Sequence, residues 1–452
     1  MKQVLAILLT MFVVNTTCLF AQTRVVRNTN GYTLMRNGEP YYVKGVGGDV
    51  QMDKMVAIGA NSLRTWGVER AGEILDEAQK HGLTVMLGLW LQHERHGFDY
   101  NNTLAVAKQF NYFKTIIERY KNHPALLMWG IGNELDLNYT NPACWDAVQQ
   151  IAQYIHQVDP NHPTSTVTAG LDSLEVAHIV KRCPDIDIYC INTYGDIGNV
   201  PSKMKPYGWH GPYMITEWGP NGHWESPQTT WNVSLEQTST EKRAVYYSRY
   251  KSFIEPNKAY CLGSYAFLWG AKQEYTETWY GLFTKEQQAT EPIDALEEVF
   301  TGKKPENPAP AISSFTLNDY PASSSILVDA GAKYTARVSL DFPEGKANNK
   351  VVYRWRIMQE STDKKSGGDK EEAATELTGL IRSPKNGSSI QFYAPALEGA
   401  YRLFVSATAN NKVAYANIPF WVKPQQGDVK QQRPIQWKSV DMSSFNIIQD
   451  RD

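Results

Sequence analysis

The chain has 452 residues, of which 47 are acidic and 45 basic, so its formal charge of −2 gives no electrostatic footprint for nucleic acid or for an anionic membrane surface. That length exceeds one ordinary core and calls for a large domain with a smaller companion. Aromatic residues make up 12% of the chain, including 13 Trp and 25 Tyr, which suits a neutral ligand with flat apolar faces as well as an ordinary core.

In chain order, Met1-Lys2 precedes an apolar run from Val4 to Val14, then a polar patch and Leu19-Phe20-Ala21. Residues 1–21 read as a signal peptide, too short to span a bilayer comfortably, with Gln22 the first mature residue of a secreted or periplasmic protein. The soluble form is favoured over lipid attachment at Cys18, which follows Asn15, Thr16 and Thr17. Tyr32 to Tyr41 reads as a β-hairpin turning at Asn37-Gly38, expected to cap the floor of a barrel.

From Tyr41 to about Phe300, β-rich runs alternate with amphipathic stretches. The strand candidates are Tyr42-Val46, Ser62-Thr65, Thr84-Leu89, Leu126-Gly130, Thr164-Thr168, Ile186-Ile191, Tyr213-Thr216 and Gly263-Leu268. Helix candidates between them include Arg70-His81, Leu104-Lys121, Pro142-Gln157 and Thr240-Ile254. Eight such units predict a (β/α)8 TIM barrel over residues 22–300. A doubly wound sheet is the rival, but no Gly-rich phosphate fingerprint follows the first strand.

The Pro-rich stretch 301–310 reads as a linker, and the alternating strands of 311–424 as an immunoglobulin-like β-sandwich with Trp355 in its core. Within it Ser361 to Glu372, rich in Lys, Asp, Gly and Ser, reads as a solvated loop. The tail, 425–452, is polar and expected to be partly disordered. A supporting role for the sandwich is favoured over glycan binding. Cys144, Cys183, Cys190 and Cys261 lack the paired spacing of a zinc site; buried free thiols are favoured over a Cys183–Cys190 bridge.

In a barrel of this kind, chemistry sits where strands end, so acidic residues directly after strand cores are the candidates. Glu134 follows Leu126-Leu127-Met128-Trp129-Gly130-Ile131-Gly132-Asn133, and Glu217 follows Tyr213-Met214-Ile215-Thr216. A carboxylate placed there is costly to desolvate without partners, which favours function over a structural ion pair or cap.

These residues resemble the large clan of retaining glycosidases with (β/α)8 barrels, in which the Glu after strand four is acid/base and the Glu after strand seven is nucleophile. Trp129-Gly130-Ile131-Gly132-Asn133-Glu134 and Gly59-Ala60-Asn61-Ser62-Leu63-Arg64 are similar to family 2 β-glycosidases, although the domains that precede the family 2 barrel are not expected in the sequence before this one. The run from Gly88 through Trp90, His93, Glu94, Arg95 and His96 to Tyr100, with a barrel first and a sandwich last, resembles glycoside hydrolase family 158, which contains endo-β-1,3-glucanases.

The retaining mechanism needs its two carboxyl groups roughly 5.5 Å apart. Glu217 must attack as the carboxylate, which calls for a guanidinium, and Arg64 is the candidate. Glu134 must begin protonated and later act as base. The resemblance further implies that Arg64 and Tyr194 touch the nucleophile, that Asn133 donates to the sugar 2-hydroxyl, and that Trp269 floors the subsite of the attacked sugar. Trp218 and Trp224 are further stacking candidates, with Trp231, Trp279 and Tyr280 divided between subsites and loop packing. His93, Glu94, Arg95 and His96 read as a polar cluster contacting sugar hydroxyls in preference to a metal; Asp49 and Glu274 are weaker substrate candidates.

The leading expectation is a retaining endo-β-1,3-glucanase acting on a polysaccharide or oligosaccharide without metal or cofactor. An exo-acting β-glycosidase or transglycosylase using the same glutamates is the alternative. A carbohydrate-binding protein that has lost catalysis is the reading from another class.

Overall fold

The structure, a computed structural model, describes residues 22–342, 350–383, 386–424 and 438–442. The expected signal peptide, with Cys18, lies outside the described residues. Three short strands open the chain: β1 (Thr23–Asn28), β2 (Gly31–Arg36) and β3 (Glu39–Pro40), all antiparallel. The β2–β3 turn is Asn37-Gly38, both at positive φ (51° and 88°), which Asn and Gly tolerate and the hairpin twist requires. Leu34 packs with Val43, Met86, Leu127 and Met214 at the lower end of the barrel interior, and Arg36 Nη1 donates to the Leu126 carbonyl at 2.9 Å. The hairpin therefore plugs the N-terminal mouth, opposite the end where strand-end chemistry sits.

Eight parallel strands close the barrel: β4 (Val43–Gly47), β5 (Ser62–Arg64), β6 (Thr84–Leu89), β7 (Leu126–Ile131), β8 (Thr164–Ala169), β9 (Ile188–Asn192), β10 (Tyr213–Trp218) and β11 (Cys261–Ala266). Each neighbours the next in sequence, and β11 pairs with β4 to close the ring. The helices are α1 (Met52–Ala57), α2 (Ala71–Lys80), α3 (Thr103–Tyr120), α4 (Ala143–Val158), α5 (Ser173–Arg182), α6 (Val200–Tyr207), α7 (Ser239–Arg249) and α8 (Pro292–Thr301). Each long one buries a helical stripe on the barrel, as α2 does with Ala71, Ile74, Leu75 and Ala78. The stretch expected as one helix to Ile254 starts at a Thr238/Glu241 capping box and changes at Tyr250 into a π-helical turn.

Beyond the barrel, antiparallel strands form two sheets over a shared core that includes Leu317, Trp355, Leu403 and Phe420. One sheet is built on Lys412–Lys423, Gly399–Ala409 and Val352–Gln359; the other on Ala311–Leu317, Lys333–Asp341 and Ser389–Tyr393. The barrel and this sandwich share backbone pairing, since β12 (Ala289–Thr290), in the barrel's last loop, runs parallel to Lys412-Val413. The seam also buries charge. Lys242 Nζ lies 2.6 Å from Glu236 Oε1, while Glu236 Oε2 accepts from sandwich Asn417 at 2.6 Å. Arg402 pairs with Glu360 at 2.9 Å and donates to the Ser234 carbonyl of the barrel at 3.1 Å. Trp231 packs on Trp421 at this seam, with ring centroids 6.2 Å apart. Residues 302–310 are pinned as well, Ala309 N–H donating to Asp294 at 2.7 Å.

One expectation is corrected. Ser361 to Glu372 is no free solvated loop: Glu371 is buried and accepts the Tyr275 N–H at 2.6 Å. In the tail, the described segment 438–442 docks on the sandwich, with Ser439 bridged to Ser324. Cys144, Cys183, Cys190 and Cys261 are buried free thiols, so the Cys183–Cys190 bridge is not formed.

Candidate active site

A pocket of about 270 Å³ opens at the C-terminal ends of the barrel strands. Glu217 and Glu134 both line it.

Glu217 closes β10, where strand alternation alone would send it outward. Met214 faces the barrel interior and Ile215 the surrounding helices, but the β9 pairing shifts register between Ile215 and Glu217. This bulge resets the alternation, so Glu217 turns into the pocket and Trp218 into the outer core. Both carboxyl oxygens of Glu217 then accept hydrogen bonds. Arg64 Nη1 donates to Oε1 at 3.0 Å, the Trp66 indole N–H donates to Oε1 at 2.9 Å, and the Tyr194 hydroxyl donates to Oε2 at 3.0 Å. Arg64 itself is buried, with its guanidinium 5.1 Å from the Trp66 ring. Deprived of water, that charge strengthens its attraction for the carboxylate.

Glu134 sits on a strained turn. Gly132 has φ 73° and Glu134 itself φ 50°, a left-handed conformation unusual for a residue with a side chain. The Glu134 N–H donates to the Val167 carbonyl at 2.9 Å, which holds the turn against β8. Burial, and secondarily the charge of Glu217, push its carboxyl up to about 8, while a hydrogen bond from Asn192 at 2.8 Å opposes the rise. The residue keeps partial access through the pocket, although protein surrounds the carboxyl itself. Nearby Asp136, pushed up to about 7 by burial, accepts the Ala169 N–H with both oxygens and ties the β7 turn to the end of β8.

Asn133 and Asn192 connect the two carboxyl groups. Asn133 Oδ1 accepts from Arg64 at 2.6 Å and from Asn192 at 3.1 Å, which orients its amide nitrogen as a donor. Asn133 also lines the pocket. Asn192 Oδ1 accepts from Thr216 at 2.9 Å and from Arg64 at 3.3 Å, while its nitrogen serves Asn133 and Glu134.

Of the residues expected at the site, Glu134, Glu217, Asn133, Tyr194 and Trp224 line the pocket, and Arg64 lies directly behind Glu217. Glu274 is also there, 2.7 Å from Lys272. Three expectations fail. Trp218 is fully buried against Tyr246 and Tyr250. Trp269 is buried, donates its indole N–H to the Val50 carbonyl at 2.7 Å and packs edge-on to Phe283, while Phe267 and Leu268 line the pocket instead. His93 is buried and bonds the Asn133 carbonyl at 2.6 Å, so it positions the asparagine backbone instead of contacting ligand. Glu94 holds the Thr140 and Asn141 N–H groups, and Asp49 pairs with Arg70 away from the pocket. Trp279 is buried, and its indole N–H donates to the Asn221 carbonyl. Buried Tyr280 packs on Tyr194, with centroids 5.3 Å apart.

Residues missed in the sequence are Trp66, Trp90 and Asn192. Asn192 shares strand phase with Cys190 inside the barrel and with Tyr194, a signal that period-two counting along β9 carries. The loop expected to be solvated was missed as well. Gly367 and Gly368 of the sandwich line the pocket. A Cβ on Gly367 would meet Leu137 and Arg95, of the loops after β7 and β6, and one on Gly368 would meet Lys272 of the loop after β11. The segment thus straps across the barrel mouth. Asp369 holds it on one side, 3.4 Å from Arg95 and 2.8 Å from His96; Glu371, bonded to Tyr275, holds it on the other.

Fold and site together define a (β/α)8 barrel with a paired-carboxylate pocket at its C-terminal mouth. Residues 44–234 match the family described as glycosyl hydrolases family 2, TIM barrel domain, a span from β4 to the loop after β10. Similar curated proteins include the β-glucuronidase of Chlorocebus aethiops, 24% identical over 179 residues, covering 35% of this chain and 26% of that one. The β-glucuronidase of Paenibacillus borealis is 26% identical over 214 residues, covering 42% of this chain and 34% of its own. This chain therefore spans about a quarter to a third of those relatives. Among solved structures, a Bifidobacterium dentium β-glucuronidase complexed with coumarin-3-O-glucuronide has a TM-score of 0.47 at 20% identity, covering 62% of this chain and 49% of that one. An endo-β-1,4-mannanase from Thermotoga petrophila has a TM-score of 0.44 at 12% identity, with 86% and 99% covered. The matched family is family 2, and none of these matches supports the family 158 assignment drawn from the Gly88–Tyr100 run.

Proposed function

We propose that the protein is a retaining β-glycosidase acting at chain ends, with Glu217 as nucleophile and Glu134 as acid and base. One observation carries this: a single pocket holds a carboxylate gripped by three donors and a second carboxyl that burial raises to about 8. Glu134 is then protonated at neutral pH and gives its proton to the leaving glycosidic oxygen while Glu217 attacks the anomeric carbon. Esterification removes the charge of Glu217, one of the causes raising the Glu134 pKa, so Glu134 becomes the base that activates water. Asn133, with its oxygen occupied by Arg64 and Asn192, offers its N–H to a sugar hydroxyl.

The strap from the sandwich makes the site a pocket and supports chain-end action over the internal cleavage expected from sequence. The lining charges support a neutral sugar. Glu134, Glu217 and Glu274 outnumber Lys272, the one Lys or Arg among the described lining residues, which is itself paired with Glu274 at 2.7 Å, so the pocket is biased against a uronate.

The test is a panel of aryl β-glycosides and oligosaccharides with the anomer of the product followed by NMR. Release of one β-configured monosaccharide from the start is expected, with a β-glucuronide cleaved at least about tenfold more slowly than the best neutral glycoside. Undiminished hydrolysis by Glu217→Ala would overturn the assignment.

A further inference from the structure

We infer that the sandwich strap, Ser361 to Glu372, is the specificity-determining wall of the sugar site, and that Asp369 and Glu371 are its positioning residues. The inference rests on the glycosidase reading above and adds which part of the chain decides where on a glycan the enzyme acts.

The strap is built to stay in place. Its barrel-side anchor is Asp369, shared between Arg95 and His96 at the end of the β6 loop. The Arg95 side chain is buried while Asp369 and His96 are about a third exposed, so the anchor is half-buried and tied at two points. Its other anchor is the buried Glu371 carboxylate, which accepts the Tyr275 N–H at 2.6 Å and the Lys365 N–H at 3.1 Å, closing the strap on itself and on the β11 loop. Lys364 lies over the Tyr275 ring at 4.3 Å. Between the anchors come Gly367 and Gly368, at φ 63° and 69°. These are the strap residues that line the pocket, and they do so with backbone alone. A Cβ on Gly368 would meet Lys272 of the pocket lining at 2.6 Å, so this glycine keeps the pocket open, whereas one on Gly367 would meet Leu137 and Arg95, so that glycine lets the strap pack closely on the barrel loops.

A bridge from the loops after β6 and β7 to the loop after β11 obstructs a polymer lying along the mouth, while a chain end still enters. Releasing the strap should convert the pocket into a cleft.

Two variants test this on the full chain. Asp369→Ala frees the barrel-side anchor without touching the carboxyl pair. It is expected to leave kcat on an aryl monoglycoside within about threefold of wild type, while oligosaccharide products longer than one sugar appear early in digestion of a soluble glucan. Gly368→Ala narrows the wall and is expected to raise KM for the aryl glycoside about tenfold with kcat little changed. Circular dichroism and thermal melting confirm that each is folded; should one variant fail to fold, the other decides. If both retain the wild-type product profile and KM, the strap is not the wall. If the wild type hydrolyses no glycoside at all, the glycosidase reading is what fails, a result separable from the first because the wild type alone reports it.

Discussion

At the residue scale, the site works by treating two identical side chains differently. Glu217 receives three donors, and Glu134 receives one donor, burial and a neighbouring negative charge. The proposed mechanism uses the acid form of Glu134, so kcat/KM should fall as pH rises through about 8, and removing the charge at Glu217 should lower the Glu134 titration. A folded-state carboxyl pKa raised above its ordinary value also costs stability as pH climbs from the ordinary value toward 8. Glu134→Gln should therefore raise Tm by a few degrees at pH 8 and by about nothing at pH 4, a difference that calorimetry at the two pH values reads. The same variant should lose about 10²–10⁴ in kcat/KM on a sugar leaving group and much less in kcat/KM on a nitrophenolate, which needs little protonation, while kcat falls on both because water loses its base. Trp66→Phe removes one N–H donor from Glu217 Oε1 while keeping the aromatic face under Arg64. A hydrogen bond to a charged group contributes about 1.5–3 kcal/mol, so kcat/KM should drop about 10- to 100-fold. An unchanged value would remove Trp66 from the machinery.

At the scale of elements, the strands were the most legible part of the chain. Thr84–Leu89 stands where its β-branched and apolar run predicts, and the other seven barrel strands differ from expectation by a few residues at their ends. Glu134 and Glu217 were legible because an acidic residue after an apolar strand is conspicuous. Trp218 was not, because a register shift in β10 is a backbone event that alternation counted along the sequence cannot contain. Trp269 misled for another reason: a tryptophan after a strand can face the pocket or the neighbouring loop, and here its N–H finds the Val50 carbonyl. This makes it a clamp between the loops after β4 and β11. Trp269→Ala should then lower stability by about 3–5 kcal/mol, as loss of a buried large side chain does, and lower Tm accordingly. A sugar platform would instead show mainly a raised KM with Tm preserved, and measuring both separates the roles.

At the scale of the whole molecule, barrel and sandwich behave as one body at their seam. Glu236 is satisfied only when Lys242 and Thr276 of the barrel and Asn417 of the sandwich are all present. Taking away one partner leaves charge buried, which costs about 3–5 kcal/mol. A chain ending after Thr301 should for this reason be insoluble or lack a cooperative melt, and a soluble, fully active barrel would refute the shared-body view. Arg402→Ala, which strands Glu360, should show the same penalty without truncation.

The sequence by itself determined the period of each element, the barrel class, the hairpin turn at Asn37-Gly38 and the two strand-end glutamates. All of these come from local pattern and from the cost of placing a charge beside apolar residues. Tertiary structure alone decided which tryptophan reaches the pocket, that Asn192 joins the two carboxyl groups, and that a Lys-, Gly- and Asp-rich loop of the second domain walls the site. Those outcomes depend on a bulge and on partners distant in sequence, such as Glu134 for Asn192, Tyr275 for Glu371 and Arg95 for Asp369. Polar composition records how well a segment is solvated when alone, and carries no trace of a distant carboxylate acceptor's donor until the chain has folded.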